Sequence, residues 1–219
     1  MNVYKINEIN EENLENEIKF SKPQLNVNHY FISCKTDLFL QLDNICFKEN
    51  FQKNNGIIST NIHINENIEK NFLVFDNLII KTVNDMFPIW FNKEIDMSDL
   101  LEYYIPTIKD YYENNEDVTS DIFSYTSSEM SEDNEDNEDN EDNEDNEIEL
   151  IINCEIPYNY EDNDLDIMIF DSSNNVIEDL WDKIEVMGKR GICVIKLSGI
   201  KIQKTKFCSV WELVQLKIL

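Results

Sequence analysis

The chain has 219 residues, of which 42% are hydrophobic, and this length suits one domain with a substantial core. It carries 45 acidic and 18 basic residues, and the formal net charge of −27 argues against nonspecific adhesion of the whole chain to nucleic acid or anionic membranes. The sequence has no apolar run of about 18 residues and no apolar segment near residue 1, so neither a transmembrane helix nor a secretory signal is expected.

The first half of the chain predicts short strands followed by a helix. Residues 30–34, 37–42 and Ile57–Ile64 are rich in β-branched and aromatic residues, and the last two segments alternate between apolar and polar residues. The next segment predicts a helix over about 66–85, which Pro88 is expected to end. Its apolar residues recur every three or four positions, at Ile68, Phe72, Phe75, Ile79 and Val83.

A short extended segment and a second helix are expected next. FPIWFNKEI, residues 87–95, predicts an extended segment. A short helix is expected through residues 100–104, with Ser98 as its N-cap and Pro106 closing it.

An acidic segment then interrupts the chain. Residues 113–147 contain 16 acidic residues and no basic residue, and they end in the repeat SEDNEDNEDNEDNEDNE. Such a segment cannot bury enough apolar surface to offset its ordering entropy, so a disordered insertion within one domain is predicted. The expected organisation is an N-terminal extension (1–17), a first part of the domain (18–112), the acidic insertion (113–147) and a second part (148–219).

The remainder of the chain is predicted to be almost entirely β. Glu149–Ile156 alternates around Leu150, Ile152 and Cys154, and the last two strands, 191–197 and 210–218, are joined by GIKIQKTKF. Between Ile156 and the first of these last two strands we expect a strand at 166–170, a turn at Asn174–Asn175, a short helical piece at 177–184 and a turn at 188–191. This pattern favours a mainly β, α+β fold built as a small twisted barrel.

The sequence carries no motif that predicts catalysis. His29 and His63 stand alone in strand-like segments, and no nucleophile elbow, phosphate-binding loop or zinc-protease motif is present. The five cysteines (Cys34, Cys46, Cys154, Cys193 and Cys208) are scattered without metal-ligand spacing, so we interpret them as reduced and mostly buried thiols of an intracellular protein. We expect a protein that is not an enzyme and needs no cofactor or metal.

The strongest functional signal is a basic segment near the end of the chain. Six cations lie within 18 residues, and aromatic residues Phe207 and Trp211 follow them. Cations that track phosphates beside rings that stack on bases are typical of single-strand binding surfaces. An exposed basic edge that resists aggregation is the alternative. The six cations are Lys189, Arg190, Lys196, Lys201, Lys204 and Lys206. Each of the three tryptophans is interpreted as a core residue in preference to a stacking platform; they are Trp90, Trp181 and Trp211.

An ordered series of motifs resembles a known family. The pieces are IKFSKPQL, DLFLQLDNI, VNDM, FPIWFNKEI, LLEYYIPTIKDYY, ELIINCEIP, IMIFDSSNNVI and ICVIKLSGIKIQKTKFCSVWELVQLKI. Together they resemble the OB-fold single-stranded DNA-binding proteins of large nucleocytoplasmic DNA viruses, found in chlorella viruses, African swine fever virus and mimivirus relatives. The resemblance covers most of residues 18–219 outside the acidic segment.

The resemblance implies a single OB-like barrel and a site in two places. These are the WFNK segment, with Trp90, Phe91 and Lys93, and the final hairpin from Gly199 to Trp211. The family carries an aromatic pair after the LSG-type turn, where this chain has Lys201 and Ile202, and a glycine before the last tryptophan, where this chain has Cys208–Ser209.

The leading hypothesis is a viral, sequence-nonspecific single-stranded DNA-binding protein that supports genome replication or repair. The six cations of the basic segment, together with Lys93, would contact phosphates, and Phe91, Phe207 or Trp211 would stack on bases. The expected location is the host cytoplasm or a viral factory, or inside the virion, without membrane association. The sequence leaves open the oligomeric state and the choice between DNA and RNA.

Two alternatives remain at this stage. The protein could be an OB-like interaction module whose residues 113–147 capture basic proteins, such as replication proteins, as a DNA mimic, or it could be a structural viral protein without a ligand. The acidic segment could also compete with DNA for the basic surface, because its charge density approaches that of a nucleic acid strand.

Overall fold

The structure is a computed structural model. It describes residues 3–8, 14, 17–111, 149–161, 164–178, 183–204 and 206–219. The predicted acidic insertion lies outside these residues, as do Trp181, most of the predicted N-terminal extension and half of the predicted helical piece at 177–184. In the described part of the chain, no helix has the length and apolarity needed to cross a membrane.

The described residues form a β-rich chain with two α-helices. The strands in chain order are β1 (Val3–Lys5), β2 (Gln24–Asn26), β3 (His29–Ser33), β4 (Phe39–Cys46), β5 (Gln52–Asn54), β6 (Ile57–Ile64), β7 (Ile108–Tyr111), β8 (Glu149–Ile156), β9 (Tyr158–Asn159), β10 (Asp164–Leu165), β11 (Met168–Phe170), β12 (Arg190–Gln203) and β13 (Lys206–Ile218). Helices α1 (Glu66–Phe91) and α2 (Met97–Tyr103) lie between β6 and β7.

Five of the strands close into a barrel. β4, β6, β8, β13 and β12 are hydrogen-bonded in that order, and β12 pairs back onto β4. The β8–β13 pair is parallel, whereas the other four pairs of the ring are antiparallel. This is an OB-like barrel, so the predicted mainly β, α+β fold class is confirmed.

The barrel interior is filled by the apolar side of each strand. Side chains alternate across a strand, so every second residue of the five strands points inward and is removed from water. The sequence-predicted strands at Ile57–Ile64 and Glu149–Ile156 have these bounds in the structure. The fully or nearly fully buried interior residues include Leu40, Leu42, Ile45, Ile58, Ile62, Ile152, Cys154, Cys193, Ile195, Leu197, Leu213 and Leu216.

Helix α1 covers one opening of the barrel and is longer than its predicted range of 66–85. It begins where predicted, with the Asn65 side chain accepting bonds from the backbone N–H groups of Asn67 and Ile68. Its predicted apolar face, from Ile68 to Val83, is buried. Three aromatic rings form its central contact, because Trp211 of β13 meets Phe72 and Phe75 edge-on at centroid distances of 5.2 and 5.4 Å.

The prediction that Pro88 ends α1 and that FPIWF is extended is wrong. Pro88 lies in the last turn, where its missing N–H removes a single intrahelical bond. Phe87 and Trp90 pack against the core and hold this turn in place. The helix ends at Asn92, whose left-handed backbone (φ 53°) directs its N–H to the Pro88 carbonyl, 2.9 Å away.

The second helix begins earlier than predicted. It starts at Met97, and Asp96 takes the N-cap position predicted for Ser98. The Asp96 backbone carbonyl accepts the N–H of Leu100 at 3.0 Å, and Leu100 is buried, so burial of this leucine sets the first turn.

The last two strands form one long hairpin. The segment GIKIQKTKF, expected to be a link, continues both strands, with Ile202 opposite Phe207 and Gln203 opposite Lys206. The ladder shifts register between Val194 and Ile195 and again between Leu197 and Gly199, and such bulges allow long strands to bend around a barrel. Beyond the second shift, β12 leaves β4 and pairs with β3. The hairpin therefore projects past the barrel.

Gly199 permits β12 to approach β3 closely. A Cβ atom at this position would lie 2.3 Å from the backbone oxygen of Ile32 and 3.0 Å from the Phe31 ring. The close packing of the two strands therefore requires a glycine at position 199, and the Phe31 ring lies over it.

Replacement of Gly199 should separate β3 from the hairpin. We expect Gly199→Ala to lower the free energy of unfolding by about 1–3 kcal/mol, because the added methyl overlaps a backbone atom that cannot rotate away. Urea denaturation followed by circular dichroism measures the change. Ser198→Ala at the neighbouring, half-buried position is the control and should stay within about 0.5 kcal/mol of wild type.

Candidate nucleic-acid interface

The six cations of the basic segment do not form a single patch. Lys189 and Arg190 lie at the start of β12, and β12 has 14 residues, so at about 3.3 Å per residue they lie up to roughly 45 Å from the hairpin tip. Lys196, between the two ends, forms an ion pair with Asp37 (Nζ to Oδ1 3.3 Å).

The other three cations of the segment lie around the tip of the hairpin. Lys201 is on β12 and Lys206 begins β13, while Lys204 lies in the turn with a left-handed backbone (φ 49°). Lys206 lines a groove that Glu69 and Glu102 also line. Of the six cations of the basic segment, three lysines therefore lie near one another at one end of the barrel.

Lys201 lines an open groove of about 250 Å³ on the outer face of the barrel, which we call the hairpin groove. Its floor is formed by outward-facing residues of neighbouring strands, with Ser59 opposite Glu155 and Lys201 opposite Cys208. Asn55, in the turn between β5 and β6, forms one end of the groove. In OB-folds the face of the second and third barrel strands, with the two loops that flank it, holds oligonucleotides, and the hairpin groove occupies this position.

Strand β3, which pairs with β12 near the hairpin tip, carries aromatic residues that sequence reasoning missed. Phe31 lies directly opposite Lys201, and Tyr30 lies opposite Ile202. The two positions at which the resembling family carries aromatic residues are thus occupied by Lys201 and Ile202, with an aromatic pair on the adjacent strand. The run HYF in β3 was the available signal, but its pairing with β12 is a long-range contact that periodicity does not reveal.

The charges in the groove are mixed. Burial raises the pKa of Glu155, nearby Glu212 raises it further, and Lys201 partly opposes the shift. Burial lowers the pKa of Lys109, which also lines the groove, and raises the pKa of the Cys208 thiol. Two lysines and one carboxylate thus share a partly desolvated surface, in which a bound anion would meet less competition from water.

Phe207 and Trp211 are not available as stacking platforms. Their exposed fractions are 4% and 2%, and both belong to the hydrophobic core. Phe207 packs on Tyr104 with ring centroids 5.1 Å apart, and Trp211 meets two phenylalanines of α1. Their predicted base-stacking role is therefore wrong in this conformation, whereas the interpretation of Trp211 as a core residue is confirmed.

The WFNK segment lies on the other side of the hairpin tip. Phe91 and Lys93 line a separate groove together with Lys204, and Trp90 packs against the core. The structure thus brings Phe91, Lys93 and Lys204 together, but it places them away from the hairpin groove.

A buried carboxylate fixes the hairpin relative to α1. Asp76 of α1 accepts hydrogen bonds from the Tyr104 hydroxyl (2.5 Å), the Thr107 hydroxyl (2.5 Å) and the Thr107 N–H (3.2 Å). The Thr107 hydroxyl is 2.7 Å from the Ser209 hydroxyl, which also accepts the Trp211 indole N–H at 3.1 Å. Four parts of the chain meet in this network, and one of them is the strand that forms the wall of the hairpin groove.

His63 and the two cysteines inside the barrel have structural environments. Burial lowers the pKa of His63, whose Nδ1 lies 3.5 Å from Glu149. The five cysteines are free thiols, of which Cys154 and Cys193 are buried inside the barrel. Across the residues that the structure describes, no cluster of three or more His, Cys, Asp or Glu side chains could hold a metal ion.

Comparisons with known proteins give structural neighbours among solved structures. No protein-family model and no curated protein sequence matches the chain. One similar solved structure is the single-stranded DNA-binding protein from bacteriophage Enc34 in complex with ssDNA, with a TM-score of 0.44, 11% identity and coverage of 90% of this chain and 94% of that chain. A C-terminal truncation of the same phage protein has a TM-score of 0.46, 11% identity and coverage of 91% and 94%.

Removal of the Asp76 carboxylate should loosen the hairpin. Asp76→Ala leaves the buried Thr107 N–H without its acceptor, so we expect the free energy of unfolding to fall by about 1–3 kcal/mol in urea denaturation. Asp85→Ala, at an exposed position of the same helix, is the matched control and should have little effect.

The same carboxylate should give a defined pH dependence. Burial raises the pKa of Asp76 more than its hydrogen bonds lower it, so the folded state binds a proton more tightly than the unfolded state. Wild-type protein should therefore gain stability relative to Asp76→Asn as pH falls through the folded pKa, with the full gain below the unfolded pKa near 3.9. Parallel pH profiles for the two proteins would contradict this.

Proposed function

We propose that this protein is a non-enzymatic, OB-like protein that binds single-stranded DNA without sequence preference, in the hairpin groove and around the hairpin tip. The observation that carries the proposal is the placement of Lys201 beside Phe31 on the outer face of the barrel. A cation and a ring at neighbouring positions match the alternation of phosphate and base along a single strand. The ordered motifs that resemble viral single-stranded DNA-binding proteins support the same function, with genome replication or repair in a viral factory as its setting.

The residues of the hairpin groove, of the hairpin tip and of the neighbouring strand β3 have distinct parts in this mechanism. Lys201, Lys204 and Lys206 contact phosphates, and Phe31 stacks on a base. The amides of Asn55 and Asn153 line the groove and hydrogen-bond to base edges or sugars. Since stacking and phosphate contacts dominate and every base has a π face, little sequence preference is expected.

The acidic balance of the chain is compatible with this mechanism because the charges are segregated. Residues 183–219 contain eight basic and two acidic residues, although the whole chain has a net charge of −27. At about 0.1 M salt the screening length is about 10 Å, so charges elsewhere on the protein are felt weakly in the groove. The −27 charge instead lowers the rate of encounter at low salt.

Variants in the hairpin groove test the proposal. Wild-type protein should bind labelled oligo-dT with a slope of log affinity against log salt of about −2, from ~0.7 per phosphate contact at three lysines. Lys201→Gln should reduce the magnitude of the slope by about 0.7, and Phe31→Leu should weaken binding by about fivefold or more through lost stacking. Fluorescence anisotropy at 50 to 200 mM salt measures both effects.

Two control variants sharpen the result. Glu155→Gln removes the carboxylate beside Lys201 and should tighten binding, whereas Lys35→Gln, at an exposed lysine outside the groove, should leave it unchanged. Binding that is insensitive to salt, or equal loss with Lys201→Gln and Lys35→Gln, would refute a site in the hairpin groove.

The rival function is a protein-interaction module that presents residues 113–147 to basic partners. Tyr111, the last residue of β7, pairs with Glu149, the first residue of β8, so the acidic segment leaves and re-enters the domain at the end of a two-stranded ladder. This attachment makes the segment removable without cutting the barrel.

A deletion distinguishes the roles of the acidic segment. Replacement of residues 113–146 by a two-residue Asn-Gly turn should leave thermal stability nearly unchanged, because both ends of the ladder stay paired. If the segment competes with DNA, the deletion should bind oligo-dT more tightly than wild type, by an amount that shrinks at high salt. Equal DNA affinity would exclude self-competition, and absence of oligo-dT binding by both proteins would favour the interaction module.

A further inference from the structure

A second groove lies on the opposite face of the same hairpin, and we call it the aromatic groove. It has a volume of about 440 Å³ and is formed by the β2–β3 hairpin, the end of α1 and the tip of β12. Its walls include the rings of Tyr30, Phe87 and Phe91 and the side chains of Asn28, Lys93 and Lys204.

Strand alternation places the two grooves on opposite faces. Ile200 and its cross-strand partner Ile32 are fully buried, so they point toward the core. Ile202 and Tyr30, two residues along each strand, point to that same side and line the aromatic groove. Lys201 points to the other side, into the hairpin groove. Lys204 lies in the turn that separates the two faces.

The aromatic groove presents rings that are not enclosed in the core. Tyr30 is 38% exposed and meets Phe91 edge-on with centroids 5.0 Å apart, and Phe91 contacts Phe87 at 4.8 Å. Leu25, at the rim, is 69% exposed. A concave surface with several ring edges and faces and an apolar rim can hold a planar, partly apolar ligand such as a nucleobase.

The charge of the groove selects an anionic ligand. Lys93 and Lys204 are exposed at its edges, and none of the described residues that line it is Asp or Glu. Three other grooves of the described residues each contain at least one carboxylate, including Glu155 in the hairpin groove. In a chain with 45 acidic residues, a surface of rings and lysines without carboxylates is complementary to a nucleotide and not to a basic peptide.

We infer that the aromatic groove holds a second segment of the same single strand, which passes over the hairpin tip at Lys204 after leaving the hairpin groove. Bases stack against Tyr30 and Phe91, and Lys93 contacts a phosphate. The inference rests on the proposed function and adds a path to it: the strand binds both faces of one hairpin. An oligonucleotide long enough to cross the tip then binds more tightly than one that fits a single groove.

The affinities for a short and a long oligonucleotide distinguish the contributions of the two grooves. Affinities of the full chain for oligo-dT of about 6 and about 20 nucleotides are measured by fluorescence anisotropy. The shorter length lies within the site sizes of about 4–16 nucleotides known for OB-folds, and the longer one exceeds them. Phe91→Leu and Lys93→Glu should weaken binding of the long oligonucleotide by at least about fivefold and leave the short one unchanged. Lys201→Gln should weaken both.

Matched controls guard against loss of folding. Lys70→Glu makes the same charge change at an exposed position of α1, about 30 Å along the helix from Phe91 at 1.5 Å per residue, and should leave both affinities unchanged. Lys93→Glu alters an exposed side chain beyond the helix, so its circular dichroism and melting temperature should match wild type. It keeps the test valid if Phe91→Leu perturbs the end of the helix.

The outcomes are distinct for the inference and for the function on which it rests. Wild-type binding with unchanged affinity in Phe91→Leu and Lys93→Glu would overturn the second segment and leave the hairpin groove in place. Equal weakening of the short and long oligonucleotides would overturn the two-segment path. Failure of the wild-type protein to bind either oligonucleotide would overturn the proposed function and the inference together.

Discussion

The buried carboxylate of Asp76 fixes the position of the β12–β13 hairpin relative to α1. The projecting part of the hairpin pairs with β3, and its base is held by polar contacts to α1. Here the carboxylate joins α1 to Thr107, and Thr107 joins Ser209 of β13. Ionised groups are rarely buried without several donors, and three hydrogen bonds to Asp76 meet this requirement. Both grooves lie on this hairpin, so this polar contact inside an apolar core contributes to the geometry of both.

Local patterns predicted the elements whose apolar period is regular. The bounds of β6 and β8 and the start and buried face of α1 follow from alternation and from helical spacing. Local patterns failed where tertiary packing opposes a local preference: Pro88 is accommodated in α1 because Phe87 and Trp90 pack on the core, and the link GIKIQKTKF becomes strand because β3 pairs with it.

The candidate site was predictable in composition and not in arrangement. The cations of the basic segment are close in sequence, yet a 14-residue strand separates them in space, and only Lys201, Lys204 and Lys206 share the hairpin tip. Burial could not be assigned to Phe207 and Trp211 because aromatic residues serve both cores and platforms. Phe31 and Tyr30 could not be found because they reach the site through pairing between strands about 170 residues apart.

The pairing of Tyr111 with Glu149 also bears on how this sequence can vary. The NED triplets lie between two residues that are already neighbours in a ladder, so a change in triplet number alters only the length of chain between fixed points. The entropic cost of closing such a segment rises by only about 0.6 kcal/mol for each doubling of its length. Repeat tracts expand and contract in whole triplets when a polymerase slips, and this fold would tolerate such polymorphism, with the number of acidic residues varying while the barrel stays the same.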